Sequence, residues 1–349
     1  MMMAQYRTFL RLFLSVGLLS QGCDSSVRCR NDNGTEVDWY ILYKLPEKSD
    51  NGLAYLYMDS STNGWKRSKN DINSKSGALA NTLKPLLDFY KRQTEGFGYL
   101  LYNDQPPGKA APASFGHSKG VLMLDRQTGV WLSHSTPKFP TYRSKNFWPD
   151  SGTLNAQTFM CVTYPYEQFK EVGLQLKYIH GYSYDSDIPK TFHKELRDAA
   201  QRRSYPKKAP WSRVTMLTSV QGQHFASFAK YTRFRDDLYS GLIVKILKQS
   251  MYVKSWGKMR EPLLSNCDIT HHVYNVEEVK LGKQRFSTTV DHSKWCVSHK
   301  GNWTCIADMN RECSQMKRGG GAICINDNKV WKAFRTLVKS HEKCEQMKM

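Results

Sequence analysis

The stretch "GHSKGVLMLD" (116–125) places His117-Ser118-Lys119 at the head of an apolar run, and the chain repeats the arrangement as "DHSKWCVSHK" (291–300). The two His-Ser-Lys triplets lie about half a chain apart in 349 residues. Such spacing points to two related halves, each giving one His and one Lys. Residues i and i+2 of a strand project from the same face. Each triplet, read as a strand start, therefore sends an imidazole and an ammonium into one space. Two such pairs facing each other would enclose an anion. A phosphodiester needs those parts: cations for its oxygens, a nucleophile, and an acid for the leaving oxygen. One neutral imidazole can attack phosphorus and form a covalent intermediate while the other, protonated, serves the leaving group. This chemistry requires neither a metal nor an organic cofactor.

A third His-x-Lys, His341-Glu342-Lys343, falls in a segment read as a terminal helix, 328–344. There i and i+2 diverge by about 200°, so this copy is read as a coincidence on a solvated face. Around the triplets, strands are expected at 37–45, 53–59, 97–104 and 157–165, from their aromatic and branched residues. A hairpin is expected over 119–135, with its turn ending in Gly129. Helices are expected at 77–93, despite Pro85, and at 166–177 and 189–203. The second half offers strands at 214–220, near 251–256 and 271–281, and a last one at 322–326, with an amphipathic segment at 223–245. The basic, proline-bearing stretch "RRSYPKKAPWSR" (202–213) is the expected linker. The fold class that follows is α/β, with mixed α+β sheets covered by helices. The expected divisions are 1–26, 27–207 and 208–349, the last two forming one integrated unit.

The N-terminal 26 residues, with Arg7 and Arg11 around a short apolar run and small residues after it, have the pattern of a cleaved secretory signal peptide. No later segment is apolar enough to span a bilayer, so stable membrane association is not expected. Nine cysteines suit an oxidising route. None falls in a CxxC pair, which argues against a zinc ribbon. Asn33-Gly-Thr and Asn302-Trp-Thr are glycosylation sequons on that route. With 51 Lys+Arg against 31 Asp+Glu the net charge is +20, which favours a polyanionic partner.

Several segments carry a resemblance to a known family: "RCRNDNGTEVDWYILYKLP" (28–46), "YLLYND" (99–104), "GHSKGVLMLD" (116–125), "WLSHSTPKFP" (131–140), "FAKYTRFRDDLYSG" (228–241), and "DHSKWCVS" with "WTCIADMNR" (291–311). In order and over essentially the whole mature chain, these closely resemble deoxyribonuclease II, the acid endonucleases of lysosomes. The resemblance implies a phospholipase D-like pseudo-dimer and metal-independent cleavage of double-stranded DNA to 3′-phosphate and 5′-hydroxyl ends. It implies His117 as nucleophile, His292 as general acid, and Lys119 and Lys294 as holders of the phosphate oxygens. By the symmetry of such a site the two histidine roles can be exchanged. His134 matches a further histidine associated with activity in the family, and Asn310, at similar spacing after the second triplet, is read as its counterpart. The family's pairing implies disulfides Cys29–Cys161, Cys267–Cys344 and Cys305–Cys324. Cys296 and Cys313 are left over, the former expected to pack quietly. Lysosomal delivery is expected, with secretion as the alternative, and a homodimer is left open. Two other functions stay in view: a catalytically silent secreted protein that binds DNA or another polyanion, and a phosphodiesterase acting on lipids.

Overall fold

The computed structural model describes residues 26–144, 146–267 and 270–344; apart from Ser26, the expected signal peptide lies outside them. A two-stranded ribbon, β1 (Cys29–Arg30) and β2 (Glu36–Val37), opens the described chain. There follow β3 (Trp39–Lys44), β4 (Tyr55–Asp59), β5 (Lys66–Arg67), β6 (Gly98–Asn103), β7 (Lys119–Leu124), β8 (Thr128–His134), β9 (Gln157–Pro165) and β10 (Ser183–Asp187). These eight form one sheet in the order β10-β6-β7-β8-β9-β3-β4-β5.

The second sheet contains β11 (Ser212–Thr218), β12 (His224–Lys230), β13 (Met251–Lys254), β14 (Val273–Leu281), β15 (Gln284–Ser287), β16 (Trp295–Ser298), β17 (Trp303–Ala307), β18 (Gly320–Asn326) and β19 (Val338–His341). Its order is β11-β12-β18-β17-β16-β13-β14-β15, with β19 paired to β14. The ladders of the first sheet are antiparallel, whereas β13 and β14 pair in parallel in the second. The helices are α1 (Glu47–Asp50), α2 (Ala78–Lys91), α3 (Gln168–Ile179), α4 (Lys194–Ala200), α5 (Val244–Leu247), α6 (Cys313–Met316) and α7 (Asn328–Arg335). The architecture is a mixed α/β pseudo-dimer of the phospholipase D-like kind: two large sheets, each flanked by helices.

Alternation along the strands assigns the layers. Ile41 and Tyr43 of β3 join a core shared by both sheets, together with Val297 and Ile323 of the second. Tyr40 and Leu42 point the other way, to a separate core that takes Leu79, Leu83 and Leu86 of α2. Central strands buried on both faces read as continuous apolar runs rather than alternating ones, as in "WYILYK" of β3, buried throughout. The apolar stripe of α2 is seated well enough that the helix runs through Pro85 despite its missing N–H. On the far face of the second sheet a π-helical turn, Tyr239–Ile243, covers Phe228 and Cys296.

The structure corrects three local expectations. The segment 328–344 is not one helix: α7 stops at Arg335, and Val338–His341 forms β19 against β14. His341 is therefore on a strand, its ring packed against Tyr252 and Tyr274. The last strand is β19, not the one at 322–326. The amphipathic segment at 223–245 divides into strand β12, between β11 and β18, and a C-terminal part made of the π-helical turn Tyr239–Ile243 and the start of α5. Gly129 lies inside β8, where a Cβ would meet Leu124 and Phe169, and the turn is Asp125–Gln127. Among the described residues the disulfides are Cys29–Cys161, Cys267–Cys344 and Cys305–Cys324. Cys296 is a buried free thiol whose pKa burial pushes up, and Cys313 is free and exposed. Both sequon asparagines, Asn33 and Asn302, are exposed in turns.

Candidate active site

The two triplets meet where the sheets abut, and the backbone shows the symmetry of the meeting. His117 N donates to Gly319 O, just before β18, at 2.8 Å. His292 N donates to Ala156 O, just before β9, at 2.9 Å. Each triplet thus docks on the strand start that corresponds to the other's docking site. The close approach of the halves needs glycine: a Cβ on Gly116 would fall 2.0 Å, and one on Gly319 2.2 Å, from the carbonyl oxygen of Ile179.

Lys119 opens β7, and Lys294 directly precedes β16, so both histidines sit on the loop two residues upstream. His117, Ser118, Lys119, His134, Ser135, Lys294, Ala307 and Asp308 line one narrow crevice. Lys119 donates to Asp104, which also lies 3.9 Å from His117 Nε2 and 3.5 Å from the Arg318 guanidinium. Those cations hold the Asp104 carboxyl well below its ordinary range despite its burial. Lys294 has no ion-pair partner among the described residues. Burial first, then the repulsion of Lys119, lowers its pKa to about 7. With Arg318 included, three cations face one ionised carboxylate, an excess of positive charge that suits an anion.

The imidazoles are not equivalent. His117 Nδ1 lies 2.7 Å from the backbone oxygen of Asp308. A carbonyl can only accept, so Nδ1 carries the proton and Nε2 keeps its lone pair. No hydrogen-bond partner reaches the His292 ring among the described residues, which instead meets the Trp256 indole edge-on at 4.7 Å. Register explains the difference. Asn103 pairs with Lys119, and Lys254 pairs with Trp295, the residue after Lys294. Superposing the triplets therefore sets Asp104 in one half against Trp256 in the other. Burial is the first cause that lowers both histidines to a pKa of about 3; Lys294 adds to it at His292, while Asp104 opposes it at His117.

His134 ends β8, fully buried between Phe139 and Phe159. Its Nδ1 accepts from Thr136 N at 3.2 Å, so its proton is on Nε2, a buried atom without a partner among the described residues. Asn310 is not the counterpart of His134. Ser133 pairs with Gly120 and Ile306 with Trp295, so Ala307 holds the equivalent position. Asn310 instead accepts from Trp256 N at 3.2 Å, one ring away from His292.

Two supports have no role in the sequence reading. Asp308 accepts from Ser118 Oγ at 2.8 Å and Gly321 N at 3.0 Å, and burial raises its pKa to about 7. Fully buried Lys254 pairs with fully buried Asp291 at 2.9 Å, and Asp291 takes the Tyr43 hydroxyl at 2.6 Å, fixing the loop that carries His292. Asp104 was visible at the end of "YLLYND", and "RGGG" (318–321) signals a close backbone approach beside a cation. Neither pattern states a role.

The chain matches the family model of deoxyribonuclease II over residues 28–344. It belongs to the deoxyribonuclease II family. It is 39% identical to deoxyribonuclease-2-alpha of Rattus norvegicus over 91% of this chain and 95% of that one. It is 38% identical to deoxyribonuclease-2-beta of Homo sapiens, over 97% of each chain. Plancitoxin-1 of Acanthaster planci is 38% identical over 97% of this chain and 98% of that protein. Membership supports a hydrolase of the acid nuclease type. No helix among the described residues is long and apolar enough to cross a membrane.

Proposed function

We propose that this chain is a metal-independent acid endonuclease that hydrolyses double-stranded DNA to 3′-phosphate and 5′-hydroxyl ends. The observation that carries the reading is the tautomer of His117, a residue lining the crevice, whose Nδ1–H is tied to Asp308 O and whose Nε2 keeps its lone pair, 3.9 Å from Asp104. In this reading Nε2 attacks phosphorus. Lys119 and Lys294 neutralise the equatorial oxygens, and His134 donates its free Nε2–H to one of them. His292 gives its proton to the departing 5′ oxygen, leaving the upstream fragment, through its 3′ oxygen, on His117 as a phosphohistidine. Water then attacks phosphorus, His292 takes its proton, and the His117–phosphorus bond breaks to release the 3′-phosphate. The residues themselves supply the positive charge that the transition state needs.

The acid dependence follows from the same geometry. His117, with its lowered pKa, is neutral and nucleophilic near pH 5. His292 must be protonated, and its pKa is depressed by burial and Lys294. The charge of a bound phosphate offsets the lysines and raises it, yet the working range stays on the acid side of ordinary histidine. A lysosome reached through the secretory pathway supplies such a pH. The chain divides into halves 27–207 and 208–349 that make one catalytic unit. The test is plasmid nicking at about pH 5 in excess EDTA, comparing wild type with His292→Ala. Cleavage that disappears in the variant supports the reading. Cleavage that persists refutes the site assignment, and a folded wild type that never nicks refutes the activity.

A further inference from the structure

A surface next to the crevice has no part in the mechanism above. The segment joining α4 to β11 carries Tyr205, which is 42% exposed. Its ring lies parallel to Tyr231, with centroids 6.2 Å apart and planes 11° apart. It also meets His180 at 5.6 Å and 60°. His180 in turn stacks on Phe115 at 4.4 Å. Phe115 is two residues before His117, and its carbonyl accepts from Arg318 at 3.1 Å. An unbroken run of rings therefore leads from the solvent-facing Tyr205 to the loop that carries His117.

The run is edged with cations. Arg202 lies 4.9 Å over the Tyr182 ring, and Arg233 lies 5.1 Å over Trp211. Both arginines are exposed. Around Tyr205 the sequence "RRSYPKK" (202–208) has four cations and no acid.

We propose that this face is a stacking subsite for the unpaired bases of single-stranded or locally opened DNA. The proposal rests on the nuclease reading above. Aromatic faces beside arginine and lysine bind exposed bases and backbone together, with little sequence preference. Tyr205 is backed by Tyr231 and His180, so little freedom is lost when a base covers its outer face. Bases inside a duplex have both faces covered by their neighbours and offer nothing to Tyr205. The subsite therefore discriminates by strandedness. It anchors one frayed strand beside the crevice, while the backbone of paired DNA is held by charge alone.

The experiment measures binding by fluorescence anisotropy at about pH 5, in EDTA and in the His292→Ala background so that the probe stays intact. The probes are a labelled oligothymidylate of about 12 nucleotides, within the range of ordinary single-strand site sizes, and a labelled blunt hairpin duplex. Tyr205→Ala weakens oligothymidylate binding about 5- to 100-fold and changes duplex binding less than about twofold. Tyr205→Phe binds both probes as the parent does. Tyr205→Leu, which keeps apolar cover over Tyr231 without a π-face, behaves as Ala; this separates stacking from fold support. Unchanged oligothymidylate affinity in Tyr205→Ala overturns the proposal, as does an equal loss on both probes. Plasmid nicking by wild type is scored separately. A wild type that nicks, with Tyr205-independent binding, sinks only the subsite. A wild type that does not nick, with Tyr205-dependent binding, sinks only the nuclease reading.

Discussion

Replacing Asp308 with Asn tests whether the crevice is built for acid. In the fold, burial raises the Asp308 pKa from 3.8 to about 7 against the pull of Ser118, Gly321 N, Lys119 and Lys294. Near pH 5 the group is almost wholly neutral, whereas near pH 8 it is mostly ionised. Its ionisation sets a second carboxylate beside Asp104 and cancels part of the field that binds phosphate. At an effective dielectric near 20, a unit charge acting across a small crevice is worth on the order of 1–2 kcal/mol, or about 5- to 30-fold in affinity. Asn keeps an oxygen for Ser118 and Gly321 and leaves the Asp308 backbone carbonyl on His117, but never ionises. Asp308→Asn should therefore match wild-type kcat/KM near pH 5 and decline more shallowly toward pH 8.

The same shift sets a sign for stability. A carboxyl whose folded pKa is raised contributes stability that is fully present below its unfolded value of about 3.8 and lost as pH rises through about 7. Wild type should accordingly lose up to about 4 kcal/mol through this group between those limits, and Asp308→Asn should not. The assays are kcat/KM on oligonucleotide duplexes and denaturant unfolding, each measured across pH. A variant that is folded but inactive at pH 5, or that declines with pH as steeply as wild type, refutes the reasoning.

Lys254→Met leaves the fully buried Asp291 without its cation and should cost about 3–5 kcal/mol in denaturant unfolding. Asp291→Asn in the same chain should recover part of that loss. Asn310→Ala removes the acceptor that holds Trp256 N. It should lower kcat about 10- to 100-fold through misplacement of His292 while KM stays near the parent value in steady-state assays. Arg318→Met should weaken duplex binding and reduce the slope of log K against log salt by about one, as read by anisotropy over a salt series.

The sequence made the site partly legible because its chemistry is local. A His-Ser-Lys triplet at the head of an apolar run marks a strand start, and a second copy half a chain away implies a partner half; the strands themselves begin only at Lys119 and Trp295, so loop contacts rather than the i, i+2 rule place the histidines. Strand β9 is just as readable: the apolar run 157–165 has the bounds observed. What failed depends on partners distant in sequence. "VKSH" at 338–341 continues a helical pattern from 328, but the edge of β14 pairs with it and Cys267–Cys344 closes the chain behind it. The counterpart of His134 was misplaced because counting from each His ignores hairpin length: the turn between β7 and β8 takes Asp125–Gln127, while β16 and β17 are joined differently. Register, not spacing, puts Ala307 there. Asp308 and Asp104 show no role in sequence because their meaning lies in burial and in the groups across the crevice.

The central claim is that His117 Nε2 is the nucleophile, and the covalent intermediate reports on it directly. DNA labelled with radioactive phosphorus is mixed with excess wild-type enzyme near pH 5, quenched in alkali within the first turnover, and mapped by peptide. A phosphohistidine on His117 that carries the upstream fragment through its 3′ oxygen is the expected result. Label on His292, or cleavage that proceeds with no covalent adduct at any time point, would contradict it.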